Sequence, residues 1–106
     1  MSGQFFIIQT TLPGDWKEFE VGSFSQQIIE AGAACIQRSP IESMYHWNGG
    51  IETSSEWSLE IKVSSLKKEK VLLRIEELHP YEIPQLIHWQ IETSDGYGNW
   101  VQNAGD

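Results

Sequence analysis

The chain has 106 residues, 40% of them apolar, and 15 acidic against 7 basic residues give it a formal charge of −8. That length suits one compact domain over 1–106 with a modest core and a thin stability margin. The charge argues against nucleic acid and anionic membrane surfaces as partners, since the densest basic window, "KKEK" at 67–70, is itself interrupted by a glutamate.

The first element, "QFFIIQTT" (4–11), is a strand rich in aromatic and β-branched residues. Phe5 and Ile7 point to one face, Phe6 and Ile8 to the other. Both faces are apolar, so both are expected to be covered. The stretch "MSGQFFIIQTTLPGDW" has no basic segment, and "FFII" is far too short for a signal core or a membrane span. With a single cysteine and no internal disulfide available, a reducing, cytoplasmic setting is expected. "LPGD" is expected to break the strand. From Asp15, apolar residues recur at Trp16, Phe19, Phe24 and Ile28 with roughly helical spacing. Gly22 in the middle weakens that pattern and moves the expected helix start to near Ser23, and Gly32 closes it. "AACIQ" (33–37) is a short second strand that stops near Pro40.

"MYHWNGGIE" (44–52) is a hairpin signal, with Asn48-Gly49 supplying the positive φ angles of a tight turn. In the returning strand "EWSLEIKV" (56–63), Trp57, Leu59, Ile61 and Val63 share one face. "SLKKEKVLLRIEEL" (65–78) is a helix with Leu66, Val71, Leu72, Ile75 and Leu78 as its buried stripe and Ser65 as its cap. Pro80 forces His79 out of the helical region and stops the helix. "PQLIHWQIE" (84–92) is a further strand with Ile87, Trp89 and Ile91 on one face. "SDGYGNWVQNAGD" is a loop leading to a short helix around Trp100. The order strand, helix, strand, strand, helix, strand is that of an α+β, ferredoxin-like split βαβ sandwich, with both helices on one face of an antiparallel sheet. The second face stays open in a lone chain, and an oligomer resolves that.

Several stretches, in their order and spacing, resemble the CutA family of divalent-cation tolerance proteins: "AAC" (33–35), "YHWNG" (45–49), "EWSLEIK" (56–62), "HPYEIP" (79–84) and "YGNW" (97–100). The likeness runs from about Thr10 to Trp100. It implies a ferredoxin-like subunit in a homotrimer, with hairpin strands that reach across to neighbours. It also implies an intersubunit cleft lined by residues matching Tyr45, Trp47, Glu56, Lys62, His79, Tyr81 and Glu82. Some members place a cysteine at the end of strand one and a His-His pair before the Pro-Tyr as copper ligands. Here those positions hold Thr10, Leu78 and His79.

Four readings follow. The first is a non-enzymatic, trimeric cation-tolerance protein that binds a divalent metal ion, copper first, through His79 with carboxylate help from Glu82. The second is a small-molecule-sensing or signalling trimer in which Lys62 meets an anionic metabolite between Tyr45 and Trp47, or in which the cleft takes a protein partner. The third is an acid–base catalyst built on His79 and Glu82, ranked last because no nucleophile motif, phosphate loop or CxxC, HxH or HExxH spacing accompanies it. The fourth is a scaffold whose partners do the chemistry. Glu56 and Lys62, six positions apart on one strand, lie roughly 20 Å apart and do not pair. Cys35 is expected as a small buried hydrophobe, and His46 and His88 as surface residues.

Overall fold

The computed structural model describes residues 3–106. Its elements are β1 (Phe5–Pro13), α1 (Glu18–Ala31), β2 (Cys35–Trp47), β3 (Gly50–Ser64), α2 (Ser65–Leu78), β4 (Leu86–Ile91) and α3 (Asp95–Gln102). The four strands form one antiparallel sheet in the order β2-β3-β1-β4, so the α+β split βαβ arrangement is the observed one.

Register decides which residues meet the helices. Ile8 stands opposite Ile61, Thr10 opposite Leu59 and Leu12 opposite Trp57. These residues share the face covered by α1 and α2, where Val21, Phe24, Ile28, Val71, Leu72 and Ile75 complete the core. The opposite face carries Ile7, flanked by Lys62 on one side and Trp89 on the other. Only one end of that face is covered. There α3 crosses it, and a Cβ added at Gly98 would come within 2.9 Å of the Phe5 ring. Trp89 and Ile87 remain 41% and 47% exposed, so the two-sided apolar pattern of the first strand is satisfied on one side and left open on the other.

Several elements depart from the expected bounds. β1 runs through Leu12 to Pro13, because Pro13 falls at the strand's end and needs no ladder donor there. α1 begins at Glu18, with the Lys17 backbone N–H donating to the Glu20 carboxylate at 2.9 Å. That bond satisfies a free donor at the helix start and outweighs the local cost of Gly22. Phe19, one of the apolar residues at helical spacing, is 73% exposed. Gly32 does close the helix, at φ 130°.

β2 does not stop at Pro40. It continues to Trp47, because β2 is the sheet edge and a residue without an N–H is tolerated there. The Asn48-Gly49 turn is as expected, with φ angles of 50° and 78°, and Trp47 pairs with Gly50 across it. Beyond the Pro13–Glu56 pair, β3 has only β2 for a neighbour. The hairpin end therefore projects as a two-stranded arm, in a chain measuring 49 × 25 × 21 Å.

In α2 the buried stripe is Val71, Leu72 and Ile75 with Leu78 packed beside it. Leu66 is 82% exposed, since nine positions from Ile75 is about half a turn around a helix axis. Its expected place is taken by Lys68, whose ammonium lies 4.0 Å from the centre of the Phe6 ring. Ser64, not Ser65, occupies the cap position.

Candidate functional site

The stretch "HPYEIP" leaves α2 and crosses to β4. His79 adopts φ −66° and ψ 134°, the extended geometry that a following proline demands. Its ring sits between Phe24 and Tyr81, with centroids at 6.1 and 5.2 Å. Nδ1 accepts a hydrogen bond from the Tyr81 backbone N–H at 3.1 Å. Nε2 lies 2.8 Å from the Thr11 carbonyl oxygen and 3.1 Å from Thr10 Oγ1. The Thr10 hydroxyl proton is itself given to the Gln85 carbonyl at 2.6 Å. The network is consistent only with a neutral ring whose proton is on Nε2 and shared between Thr11 and Thr10. Burial lowers the His79 pKa below 6.5, and this outweighs the opposing effects of the Thr11 carbonyl and the Glu56 charge. Both ring nitrogens are thus held by the fold, and the ring locks the start of the turn to the end of β1.

Tyr81 projects from that turn and donates its hydroxyl proton to Glu56 Oε2 at 2.8 Å. Burial raises the phenol pKa well above its usual 10, and the Glu56 bond and charge raise it further, so the hydroxyl stays a donor. Around this pair lies an open groove of about 750 Å³ between the turn and the hairpin arm. Tyr45, Trp47 and Met44 form its hairpin wall; Tyr81, Glu82 and Ile83 form the other, with Glu56 between. Tyr45, Trp47 and Glu56 share one face of the hairpin by register. The Tyr45 hydroxyl is steadied at 3.1 Å from Ser54 Oγ. Glu56 and Glu82 are the charged side chains of the lining, and no Lys, Arg or His is part of it.

Of the residues expected at the cleft, the structure gathers Tyr45, Trp47, Glu56, Tyr81 and Glu82 in this groove, with His79 directly behind Tyr81. It does not bring Lys62 there. Lys62 stands opposite Ile7 and Cys35, toward the other end of β3, and its ammonium bonds the Gln37 side chain. Cys35 is half-buried and faces the Tyr97 hydroxyl; burial and the thiol both raise that phenol's pKa. His46 and His88 are exposed, as expected.

Thr10, Thr11 and Gln85, which fasten the turn, were not signalled as a group in the sequence. Neither were Met44 and Ile83, which are 74% and 82% exposed and line the groove. Among the described residues, no three His, Cys, Asp or Glu side chains converge as metal ligands. One chain therefore offers two carboxylates and a histidine already engaged, which does not close a transition-metal site. No helix among the described residues is long and apolar enough to cross a membrane.

Residues 7–104 match the family model described as CutA1 divalent ion tolerance protein. The divalent-cation tolerance protein CutA of Pyrococcus horikoshii is 30% identical over 96 residues, 90% of this chain and 92% of that protein. The Danio rerio protein CutA homolog is 26% identical over 106 residues, covering 98% of this chain and 69% of its own length. The chain spans less than half of the chloroplastic CutA of Arabidopsis thaliana, 43% of its length, at 35% identity. Among solved structures, CutA1 from Oryza sativa superposes with a TM-score of 0.86 at 26% identity, covering 97% of this chain and 94% of that one. CutA from Synechococcus elongatus superposes with a TM-score of 0.85 at 26% identity, over 95% and 90% of the two chains. Family model, relatives and fold agree, and the chain belongs to the CutA1 divalent ion tolerance family.

Proposed function

We propose that this chain acts as a homotrimeric, non-enzymatic cation-tolerance protein whose groove becomes an intersubunit cleft that takes up a divalent metal ion, copper first. The single observation that carries the reading is the Glu56–Tyr81 pair. A carboxylate is fixed by a phenol that stays protonated, Glu82 lines the same groove, and no cationic side chain neutralises them. On a chain of charge −8 that groove attracts cations.

Glu56 and Glu82 are oxygen donors suited to a divalent ion, and ligands from a neighbouring subunit complete the coordination that one chain leaves short. His79 acts from behind, by holding the turn that carries Tyr81. Assembly follows from the projecting arm: a two-stranded ribbon with Met44, Trp47 and Ile51 at 74%, 56% and 68% exposure needs a covering surface. The names of the relatives, divalent-cation tolerance proteins, point to the same role and describe no catalyst. The cytoplasmic setting expected from the sequence belongs to this reading, although the Archaeoglobus fulgidus relative is described as periplasmic.

The anionic alternative has less support, because Lys62 lies outside the groove of its own chain. Calorimetric titration with Cu(II) and Zn(II) tests the reading on the unchanged chain, Glu56→Gln and His79→Ala. The expected result is a loss of affinity in Glu56→Gln that exceeds the loss in His79→Ala. Binding abolished by His79→Ala and untouched by Glu56→Gln would return the ligand role to His79, and no saturable heat with either ion would end the metal reading.

A further inference from the structure

We propose that the groove between the hairpin arm and the 79–85 turn is a binding site for small organic ammonium ions, protonated or quaternary amines with an apolar body. The inference rests on the reading of this groove as cation-selective and narrows the class of cation.

Three observations select that chemistry. The first is charge. Glu56 and Glu82 line the groove, no Lys, Arg or His does, and Lys62, the cation expected there, is bonded to Gln37 elsewhere on the sheet. An anion entering the groove would meet two carboxylates and no partner.

The second is donor count. A bare metal ion needs several oxygen or nitrogen ligands at fixed distances. This chain brings no three of them together among the described residues, and one Glu56 oxygen is already engaged by Tyr81. An ammonium group needs only diffuse negative potential and one or two acceptors.

The third is the walls. Tyr45, Trp47 and Tyr81 bring three aromatic side chains to one groove that also holds two carboxylates. Aromatic faces attract cations through the ring quadrupole, most strongly for Trp, and they attract alkylated ammonium groups with little desolvation cost. Met44 and Ile83 add apolar contact for the remainder of the ligand. A groove of about 750 Å³ is of the size that holds a metabolite. Tyr81 is aligned for this use, because its hydroxyl donation to Glu56 fixes the ring and holds the carboxylate in place. Tyr45 is held in the same way by Ser54.

The test is two-dimensional NMR titration of the 15N-labelled full chain with choline, with its neutral carbon isostere 3,3-dimethylbutan-1-ol, and with inorganic phosphate. Choline is expected to shift the Trp47 indole N–H and the Glu56 and Tyr81 amides saturably. The isostere should bind about tenfold more weakly or not at all, and phosphate should leave these signals in place. Glu56→Gln and Trp47→Leu should each weaken choline binding about fivefold or more. Glu69→Gln, an exposed carboxylate on α2, should leave it unchanged. Far-UV circular dichroism and sedimentation of each variant confirm that fold and assembly are retained.

Equal affinity for choline and its isostere would overturn the proposal, since charge would then play no part. So would phosphate binding at these signals, or no saturable shift with choline, the result expected if a neighbouring chain fills the groove. A zinc titration of the same sample separates the two readings. Zinc binding that depends on Glu56, with no response to choline, removes the organic-cation proposal and leaves the metal reading standing.

Discussion

At the scale of single residues, Thr10 carries more than its size suggests. Its side chain is fully buried, and it ties the 79–85 turn to β1 through the Gln85 carbonyl and the His79 ring. Thr10→Val keeps the shape and removes the hydroxyl, leaving a carbonyl oxygen without its donor. Urea denaturation should show a loss of about 1–3 kcal/mol; a loss within error would mean that the remaining contacts of the turn, His79 to the Thr11 carbonyl and Tyr81 to Glu56, hold it without Thr10. His79 predicts a pH dependence. Its pKa is lowered in the folded chain, so the unfolded chain binds the proton more readily. The ring's contribution is complete above the ordinary value of 6.5, declines as the pH falls through it, and levels off beneath the folded value. Thermal unfolding between pH 7.5 and 5 should fall more steeply for the unchanged chain than for His79→Phe, which cannot be protonated. Parallel curves would show that the ring does not titrate between the two states.

At the scale of elements, two helical glycines separate what packing forbids from what it permits. Gly98 in α3 lies against Phe5 and Thr93, and an added Cβ would stand 2.6 Å from Thr93 Oγ1. Gly98→Ala should cost about 1–3 kcal/mol by overpacking. Gly22 in α1 has no neighbour within 4 Å and no positive φ. Gly22→Ala should stabilise by about 0.5–1 kcal/mol through helix propensity alone. Differential scanning calorimetry of both variants checks the opposite signs, and a shared sign would contradict the difference in packing around the two glycines. The same two glycines illustrate what was legible in the sequence. Local chemistry was readable: the Asn48-Gly49 turn, the end of α2 forced by Pro80 and the alternation of β3 all arise from neighbours in the chain. The continuation of β2 through Pro40 was not, because its edge position is a fact of sheet order that no local signal carries. The outward position of Leu66 is not legible either, because apolar spacing alone does not say which face meets the sheet. The site divides in the same way. "HPYEIP" marked the turn, while its fastening to Thr10 joins residues 75 positions apart, and nothing along the chain connects them.

At the scale of the whole molecule, the uncovered apolar surface is what one chain by itself leaves unburied. The helices occupy one side of the sheet, and the other presents Ile7, Ile87 and Trp89, with α3 covering only one end. The hairpin arm adds the exposed Met44, Trp47 and Ile51 on a ribbon that has no sheet or helix of its own chain to lie on. Burying these surfaces against other copies is worth about 25 cal/mol for each Å² of apolar area, a gain that no rearrangement within one chain supplies. The proposed homotrimer makes this measurable. Analytical ultracentrifugation at micromolar concentration should give a mass three times the 12.1 kDa of one chain. Trp89→Glu places a charge at the centre of the open face and should shift the mass toward one chain. Leu66→Glu changes a residue that is more exposed, at 82%, but lies on the helix side, and it should leave the mass as it was. The two substitutions add the same charge, so a common effect would trace to net charge and a difference to position. A folded, unassembled chain at that concentration would remove the trimer, and the groove beside Glu56 would then have to bind its cation with the ligands of one chain alone.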